Sequence, residues 1–314
     1  MSKSSVKNIL LIGLGSMGFG IGKSLLRNGF NVYGEDKNLS QKEKFVGEGG
    51  ENHTVIYKNI NAVIIVVLNE MQTKDILFGD NGIAKNLKKK TLVMVCTTVS
   101  PQFAEEMSIS CSKYDLLYID APISGGSKKS AEGNLTYMIS GSSQAIKKAR
   151  PILDVTSETV FEFGDKIGSG SAMKSINQML AGIHIAAMAE AITFGISQGI
   201  DAKRFLEVIS KCAGTSWMLE NRAPNIINSD YSPKSSINIW PKDLGIVLNI
   251  AEKSNFSAPL TKIALEQFLK ASNKGLGNED DSAVAKVYAQ GAGIKLPYIF
   301  ILQVKLDFYF RSGF

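Results

Sequence analysis

The chain has few of the residues from which metal sites and hydrolytic triads are built. Its 314 residues include only two histidines, His53 and His184, and three cysteines, with no CxxC spacing. This composition argues against a disulfide framework and a zinc site, and it fits a reducing compartment. No Ser-His-Asp arrangement can be built around either histidine. We therefore expect no resident metal, and we interpret His184, in an apolar helical stretch, as a core residue.

We expect neither a secretion signal nor a membrane span in this chain. Its first residues, MSKSSVK, continue into an apolar strand without the apolar region of a signal peptide. No uninterrupted run of about 18 apolar residues is present, so we expect no membrane span and a cytoplasmic protein. The net charge of +6 is scattered, with residues 86–90 (NLKKK) as the densest cluster. An anionic cofactor and an acid substrate account for this charge better than a nucleic acid.

The first 167 residues alternate short β-rich runs with helical stretches, a pattern typical of βαβ units. The run at 61–68, NAVIIVVL, is continuously apolar, as in a parallel strand covered on both faces. We predict an α/β domain at residues 1–167 with a doubly wound, mostly parallel sheet. Strands after residue 115 can run antiparallel. The predicted strands are 7–13, 30–35, 61–68, 91–98, 115–122 and 134–141.

The composition changes near residue 168. Residues 168–199 are rich in Ala, Ile and Met and carry few charges, which predicts a long helix buried on most faces. We predict an all-α second domain at residues 168–297. An apolar and aromatic tail at 298–314 fits neither domain and is too short for a helical membrane span. The other helices are predicted at 201–212, 217–228, 241–253, 259–273 and 279–290.

A glycine-rich turn joins the first predicted strand to the first predicted helix. Its pattern is Gly13-x-Gly15-x-x-Gly18, with Leu14, Ser16 and Met17 between the glycines. Gly13 permits the tight turn, Gly15 leaves room for a pyrophosphate, and Gly18 lets the helix pack on the strand. The helix N-terminus then offers free N–H groups to the phosphate. A turn without a ligand is the alternative, because glycine-rich turns also occur by chance.

An acid after the second strand indicates which cofactor the turn binds. Asp36 lies 23 residues after Gly13, near the spacing expected for an acid that binds the adenine-ribose hydroxyls. A carboxylate there repels the 2′-phosphate of NADP, so we predict NAD. Glu35 can take the same role, and Lys37 offsets part of the repulsion.

The long helix carries a candidate acid/base. Lys174 lies in its first turns, in an otherwise apolar segment. The positive potential of a helix N-terminus should lower the pKa of this lysine, and a neutral amine can take the proton of an alcohol. Asn177 and Gln178, at i+3 and i+4, can hydrogen-bond a substrate hydroxyl. A solvated surface lysine is the alternative interpretation.

A second glycine turn is a candidate for binding a carboxylate. The segment DAPISGG (120–126) ends a predicted strand and places Ser124 before Gly125 and Gly126. Such a turn presents backbone N–H groups, and the serine adds a hydroxyl. A simple strand-to-loop turn is the alternative.

Two further segments belong to the same candidate site. Thr97 and Thr98 follow a predicted strand, at the edge where doubly wound folds bind ligands. Lys242 lies at a predicted helix start, with Pro241 near the first helical position, and adds a second cation. The alternative for Lys242 is a surface lysine.

Together these motifs resemble the β-hydroxyacid dehydrogenase family, which includes 3-hydroxyisobutyrate dehydrogenase and tartronate semialdehyde reductase. GLGSMGFG, DAPISGGSKKSAEGNLTYMISG, GSGSAMKSINQ and KDLG occur in the family's order over about residues 7–290. Other segments, such as AGTSWMLENR and SNKGLGNEDDSAV, resemble the branch that acts on four-carbon sugar acids. The resemblance implies a Rossmann domain, an all-α domain like that of 6-phosphogluconate dehydrogenase, and a homodimer or homotetramer built through the helices.

The resemblance also implies residue roles. Lys174 is the implied catalytic acid/base, and the cofactor is NAD. The substrate is a small hydroxy acid held by Ser124, Gly125 and Gly126, to which residue chemistry adds Asn177 and Gln178. The implied cofactor residues are Gly13, Leu14, Gly15, Ser16, Met17, Gly18, Asp36, Leu68, Asn69, Thr98 and Lys242.

The chain departs from the family pattern at three positions. Many members have Asn where this chain has Gln178, although members acting on four-carbon acids share the glutamine. Val95 replaces an aspartate, and Asn69 stands where proline is usual.

The expected reaction is NAD-dependent oxidation of L-threonate to 2-oxo-tetronate, with Ser216, Asn221 or Arg222 as candidate contacts to the distal hydroxyls. Two alternatives remain open. The first is a 3-hydroxyisobutyrate or tartronate semialdehyde enzyme with the same chemistry. The second is a catalytically silent nucleotide-binding module, against which Lys174 argues.

Overall fold

The computed structural model describes residues 6–294 and residue 296. The predicted tail at 298–314 lies outside the described residues, as do residues 1–5 of the predicted first domain and residues 295 and 297 of the predicted second domain. Within them, an α/β unit is followed by a helical unit that begins at Ser169. The predicted order of a doubly wound sheet and then an all-α unit is confirmed. We propose residues 1–167 and 168–297 as the two domains.

The α/β unit contains eight strands in the described part of the chain, and each includes at least one β-branched Val or Ile, residues that favour strands. Their bounds are β1 Asn8–Ile12, β2 Asn31–Glu35, β3 Ala62–Ile65, β4 Leu92–Val95, β5 Leu117–Asp120, β6 Ile123–Ser124, β7 Leu135–Gly141 and β8 Ser157–Glu162. Its helices are α1 Ser16–Arg27, α2 Leu39–Gly47, α3 Glu70–Phe78, α4 Pro101–Ser112, α5 Gly126–Glu132 and α6 Ser143–Thr156. Short 3₁₀ turns cover Tyr57–Asn59 and Ala84–Asn86.

The strand order of the sheet reverses at β1. The order is β2-β1-β3-β4-β5-β7-β6, with β8 beside β7. Strands β1 to β5 are parallel, β7 is antiparallel to β5 and β6, and β8 is parallel to β7. The chain therefore builds outward on one side of β1 and then on the other. Doubly wound sheets bind ligands at such a reversal, beyond the carboxyl ends of the strands.

Both faces of the sheet are covered by apolar side chains. All residues of β3 and β4 are buried, which explains their continuously apolar sequences. Ile9, Leu11 and Ile64 belong to the core cluster on one face, and Leu10 and Ile65 to the cluster on the other. Each fully buried aliphatic side chain contributes about 1.5–3 kcal/mol to the hydrophobic stabilisation.

The helical unit is built around α7, Ser169–Ser197. The helices that follow are α8 Ala202–Ile209, α9 Trp217–Asn228, α10 Ile239–Lys253, α11 Pro259–Ala271 and α12 Ala285–Gly291. A π turn at Ser272–Leu276 and a 3₁₀ turn at Asp281–Val284 complete the unit. Ile185, Ala189 and Ile192 of α7 pack in one core with Trp240 and Phe268. The sequence predicted all these helices, but the last predicted helix is divided into the 3₁₀ turn and α12.

One helix in the described residues, α7, is long and apolar enough to cross a membrane by length and composition alone. Its most apolar stretch is 56% buried inside the protein. Since α7 is the central helix of the helical core, its apolar composition follows from packing in that core.

Candidate active site

The glycine-rich turn lies at the carboxyl end of β1, where the strand order reverses. Gly13 has a φ of +95°, and a Cβ there would lie 2.2 Å from the Val66 carbonyl oxygen. A Cβ on Gly18 would lie 1.8 Å from the Gly13 oxygen, so the start of α1 packs directly on the turn. A Cβ on Gly15, in contrast, would meet no atom within 4 Å. This open space adjoins the first N–H groups of α1, which no side chain caps, so the turn fits a phosphate group.

The structure distinguishes the two acids at the end of β2. Asp36 is half-buried against the glycine-rich turn, where Oδ2 accepts a hydrogen bond from the Leu14 N–H at 2.7 Å and Oδ1 from the Asn38 N–H at 2.8 Å. Glu35 instead forms an ion pair with Lys42 of α2 at 2.8 Å. Each carboxylate oxygen can accept a second hydrogen bond. Asp36, rather than Glu35, therefore has the position that suits an acid contacting the adenine ribose.

The loops after β3 and β4 are joined to each other at the carboxyl edge of the sheet. The Val67 N–H donates to Oγ1 of the buried Thr97 at 3.2 Å. Glu70 accepts from both the N–H and the hydroxyl of Ser100, each at 2.7 Å. Thr98 lies between these contacts and is half-buried. The loops thus hold Thr98 at the edge where the sequence predicted it.

The asparagine that departs from the family pattern has a local role. The Asn69 side chain caps α3 by accepting from the Gln72 N–H at 2.9 Å. The Gln72 side chain in turn accepts from the Leu68 N–H at 3.0 Å. The Leu68 side chain remains exposed at the carboxyl edge. Asn69 therefore orders this loop by capping, which stabilises a helix end by about 1 kcal/mol.

Lys174 is a buried lysine in the second turn of α7. It is 7% exposed. The pKa of its amine is lowered to about 8, mainly by burial; the carboxylate of Asp243 opposes this shift, and the positive charge of Lys242 adds to it. The lowered pKa agrees with the prediction, but its main cause is burial rather than the helix N-terminus. A large neutral fraction is therefore present near pH 8, as a general base requires.

A line of polar contacts connects α7 to the Rossmann edge through α10. The Gln178 Nε2 donates to Asp243 Oδ2 at 2.5 Å. Asp243 Oδ1 forms an ion pair with the Lys242 Nζ at 2.5 Å, and the same Nζ donates to the Thr98 carbonyl at 3.3 Å. Asn177 Nδ2 donates to the Gln178 Oε1 at 3.0 Å. These contacts bring the predicted residues of α7, α10 and the β4 loop together.

Asp243 is the member of this line that the sequence reasoning missed. It is 3% exposed and lies 65 residues from Gln178. The adjacent Lys242 was a signal, because a lysine followed by an acid at a predicted helix start places opposite charges together. The spacing alone could not show that the carboxylate points to Gln178.

The second glycine turn follows β6, and its helix is attached to the first glycine turn. Gly125 and Gly126 have φ values of +139° and +78°, and the half-buried Ser124 precedes them. The Ser130 hydroxyl of α5 donates to the Met17 carbonyl of α1 at 2.5 Å. The two turns that the sequence singled out are therefore held beside each other through α5 and α1.

Three residues considered for the distal substrate hydroxyls have partners inside the protein. Arg222 is 8% exposed and forms an ion pair with Asp281 at 2.6 Å. Its Nη1 donates to the Asn221 Oδ1 at 2.6 Å, and the Ser216 hydroxyl caps α9 by accepting from a backbone N–H. Burial raises the pKa of Asp281 to about 6 although the arginine opposes that shift. These contacts stabilise the helical core.

The histidines stand apart from these contacts. His53 is exposed, and His184 is half-buried on α7 rather than fully in the core. Within residues 6–294 and 296, no group of three His, Cys, Asp or Glu side chains is placed to hold a metal ion.

Comparison with known protein families matches both units of the chain. Residues 8–164 match the NAD-binding domain of 6-phosphogluconate dehydrogenase. Residues 168–288 match the family described as NAD-binding of NADP-dependent 3-hydroxyisobutyrate dehydrogenase. The chain belongs to the β-hydroxyacid dehydrogenase family. The resemblance seen in the motifs is thereby confirmed.

Individual relatives cover nearly the whole chain. The L-threonate dehydrogenase of Cupriavidus necator is 42% identical over 294 residues, which are 93% of this chain and 98% of the relative. The L-threonate dehydrogenase of Escherichia coli K12 is 39% identical over 95% of this chain and 99% of its own length. A crystal structure of 3-hydroxyisobutyrate dehydrogenase from Salmonella typhimurium is 38% identical, covers 90% of this chain and 99% of its own, and superposes with a TM-score of 0.85.

Proposed function

We propose that this family member is an NAD-dependent dehydrogenase that oxidises L-threonate to 2-oxo-tetronate. The observation that carries the proposal is Lys174, a buried amine with a pKa of about 8 at the junction of the two units. The choice of substrate is supported by a sequence identity of about 40% with L-threonate dehydrogenases over almost the full chain.

The cofactor residues are assigned from the carboxyl edge of the sheet. The turn from Gly13 to Gly18, with Leu14, Gly15, Ser16 and Met17, holds the pyrophosphate, and Asp36 binds the adenine ribose. Leu68, Asn69, Thr98 and Lys242 border the nicotinamide half. When bound, NAD supplies the hydride acceptor. The carboxylate of Asp36 favours NAD because it repels the additional phosphate of NADP.

Binding of the substrate and movement of its proton are assigned to the second glycine turn and α7. Ser124, Gly125 and Gly126 hold the substrate carboxylate with hydroxyl and backbone donors. The neutral Lys174 amine takes the hydroxyl proton during oxidation, and the resulting ammonium returns it in reduction. The Asp243 carboxylate stabilises that ammonium. Asn177 orients the substrate hydroxyl, and Gln178 holds Asn177 in place from its contact with Asp243.

A substrate and cofactor panel tests the proposal. We expect purified protein to form NADH and 2-oxo-tetronate in a 1:1 ratio from L-threonate. We expect kcat/KM with L-threonate to exceed the values with 3-hydroxyisobutyrate and with tartronate semialdehyde in reduction, and NAD to be preferred over NADP. Turnover of 3-hydroxyisobutyrate without turnover of L-threonate would identify the first alternative enzyme. Cofactor binding without turnover of any acid would identify the silent module.

We also propose that the protein is a homodimer or homotetramer assembled through α7. Met173, Ile176, Leu180 and Phe194 are 38–64% exposed and follow a helical spacing along one side of this helix. A second copy of the same helix is the occupant that fits, because an apolar stripe along a long helix is self-complementary across a two-fold axis. Light scattering should give a multiple of the 34.0 kDa chain mass. A monomer at micromolar concentration would contradict this assembly.

We place the protein in the cytoplasm. Cys96, Cys111 and Cys212 are all free thiols, two of them buried, as expected in a reducing compartment. Fractionation of cells that express the tagged full chain tests this location.

A further inference from the structure

We propose that Asp120 is a positioning residue for the reaction, which fixes Lys174 relative to the N-terminal domain by anchoring the first turn of α7. This inference rests on the proposed function, because it presumes that Lys174 is the acid/base. Asp120 is the last residue of β5 and is fully buried. Neither the motif comparison nor the proposed mechanism gives it a role.

The carboxylate of Asp120 accepts hydrogen bonds across the junction of the two units. Oδ2 accepts from the Ser171 N–H at 2.8 Å and from the Ser140 hydroxyl at 3.2 Å. Oδ1 accepts from the Ser171 hydroxyl at 2.6 Å. The Gly170 N–H donates to the Ser140 hydroxyl at 3.3 Å, so a second backbone N–H of α7 joins the same group of contacts.

Burial raises the pKa of Asp120, and the hydrogen bonds from Ser171 and Ser140 oppose that shift. Within the described residues no lysine or arginine forms an ion pair with Asp120. The positive potential that favours its carboxylate form comes from the N-terminus of α7, a helix of 29 residues. A buried carboxylate is stable only when donors satisfy it, and Ser171 supplies two. Asp120 thus performs for α7 the capping that a residue of the helix itself would ordinarily perform.

The local sequence explains why the cap comes from another element. The N-cap residue is Gly168, with a φ of +91° and no side chain to bond the helix. A Cβ on Gly168 would lie 2.8 Å from the Pro101 oxygen, and one on Gly170 would lie 2.3 Å from the Met138 oxygen. The first turn of α7 is therefore pressed against α4 and β7, with no space for a capping side chain of its own.

The position of Asp120 couples two parts of the proposed site. Ser171 lies three residues before Lys174, so a shift of the first turn moves the amine with it. Asp120 also lies four residues before Ser124, on the segment that leads to the substrate turn. One carboxylate therefore sets the relative position of the acid/base and of the turn assigned to the substrate carboxylate. Misplacement of a catalytic group by about 1 Å can lower a rate by about 10²-fold.

The test compares kinetics, cofactor binding and pH dependence in Asp120→Asn. We expect kcat for L-threonate to fall about 10- to 100-fold, while the Kd for NAD, measured by fluorescence, changes less than about twofold because the cofactor residues lie on other elements. The pH midpoint of kcat should stay near that of the wild type, since Asp120 is not among the groups that shift the pKa of Lys174. Wild-type kcat per folded molecule, with only a lower melting temperature, would overturn the inference.

Ser171→Ala provides a milder variant that keeps the backbone donor and should fold even where Asp120→Asn does not. We expect it to lower kcat about three- to tenfold with an unchanged Kd for NAD. The matched control is Thr193→Ala, which removes another buried hydroxyl from α7, one that donates to the Ala189 oxygen at 2.7 Å. That control should keep kcat within about twofold. Equal kcat in Ser171→Ala and wild type would refute the positioning role.

Lys174→Met, measured in parallel, distinguishes failure of the proposed function from failure of the role proposed for Asp120. Retained turnover in Lys174→Met would remove the proposed acid/base and with it the basis of this inference. Lost turnover in Lys174→Met, together with full turnover in the Asp120 and Ser171 variants, would leave the proposed function intact and reject the role of Asp120 alone.

Discussion

Replacing Lys174 with methionine should lower kcat for L-threonate oxidation by about 10²- to 10⁴-fold, the usual contribution of a general base. Methionine matches the length of the lysine stem and fills the same buried space, but it cannot take a proton. Arginine should be equally inactive, because its guanidinium stays protonated. The measurement is NADH formation at saturating NAD and substrate.

Lys148→Met is the matched control for this substitution. Lys148, on α6, is another lysine whose pKa is lowered mainly by burial, and it contacts the Lys90 carbonyl far from the proposed site. Its replacement should leave kcat unchanged. Turnover of Lys174→Met within about tenfold of the wild type would exclude the acid/base role.

Lys174→Met should also be more stable than the wild type at neutral pH. Burial lowers the pKa of Lys174 from 10.5 to about 8, so the folded state binds fewer protons than the unfolded state between these values. The stability of the wild type therefore rises from about pH 8 to pH 10.5, and the cost of burying the lysine is greatest below pH 8. Methionine removes that cost, up to about 3 kcal/mol. Urea unfolding at pH 7 and pH 10 should show the difference between the variant and wild type shrinking at the higher pH.

Asp243→Asn should lower kcat about tenfold and shift its pH dependence. The Asp243 carboxylate raises the pKa of Lys174, while Lys242 lowers it. Asparagine would remove the attraction between the Asp243 carboxylate and the Lys174 ammonium and leave the repulsion from Lys242. The pH midpoint of kcat should therefore move below 8. The free energy of unfolding should fall by about 1–3 kcal/mol, because Gln178 and Lys242 lose a charged acceptor. Kinetics from pH 6 to 10 and urea unfolding measure both effects.

Glu207→Gln is the control for removing a carboxylate from an ion pair. Its pair with Arg204 on α8 is exposed, with an N–O distance of 3.1 Å. Such pairs contribute little, so the unfolding free energy should change by less than about 0.5 kcal/mol and kcat should not change. An upward movement of the pH midpoint in Asp243→Asn would show that the carboxylate does not act on Lys174 as described.

The backbone features of the site were predictable from the sequence because they depend on local spacing. The Gly13–Gly18 turn was predictable because a strand, a glycine pattern and a helix succeed one another within a short segment. Asp36 was predictable from its place directly after the next strand. The position of Lys174 near a helix N-terminus predicted the direction of its pKa shift but not the main cause. Burial by distant segments, which no local pattern encodes, is the larger effect on its pKa.

The side-chain partners were not predictable in the same way. Gln178 was assigned to the substrate from its helical spacing, but its amide contacts Asp243, 65 residues away. Asp120 contacts Ser171 across 51 residues and two units of the fold. Strand β8 was also missed, because its sequence, SETVFE, has no continuous apolar run. This strand lies at the edge of the sheet and pairs only with β7 among the described strands.

The central claim is that neutral Lys174 takes the proton of a bound hydroxy acid. The pH dependence of kcat for L-threonate oxidation by the wild type, at saturating NAD, tests it most directly. The account predicts that kcat rises with pH through a single ionisation, with half of the maximum near pH 8, because the protonated amine is inactive as a base. A kcat that is constant between pH 6 and 10, or that falls as the amine loses its proton, would contradict the claim.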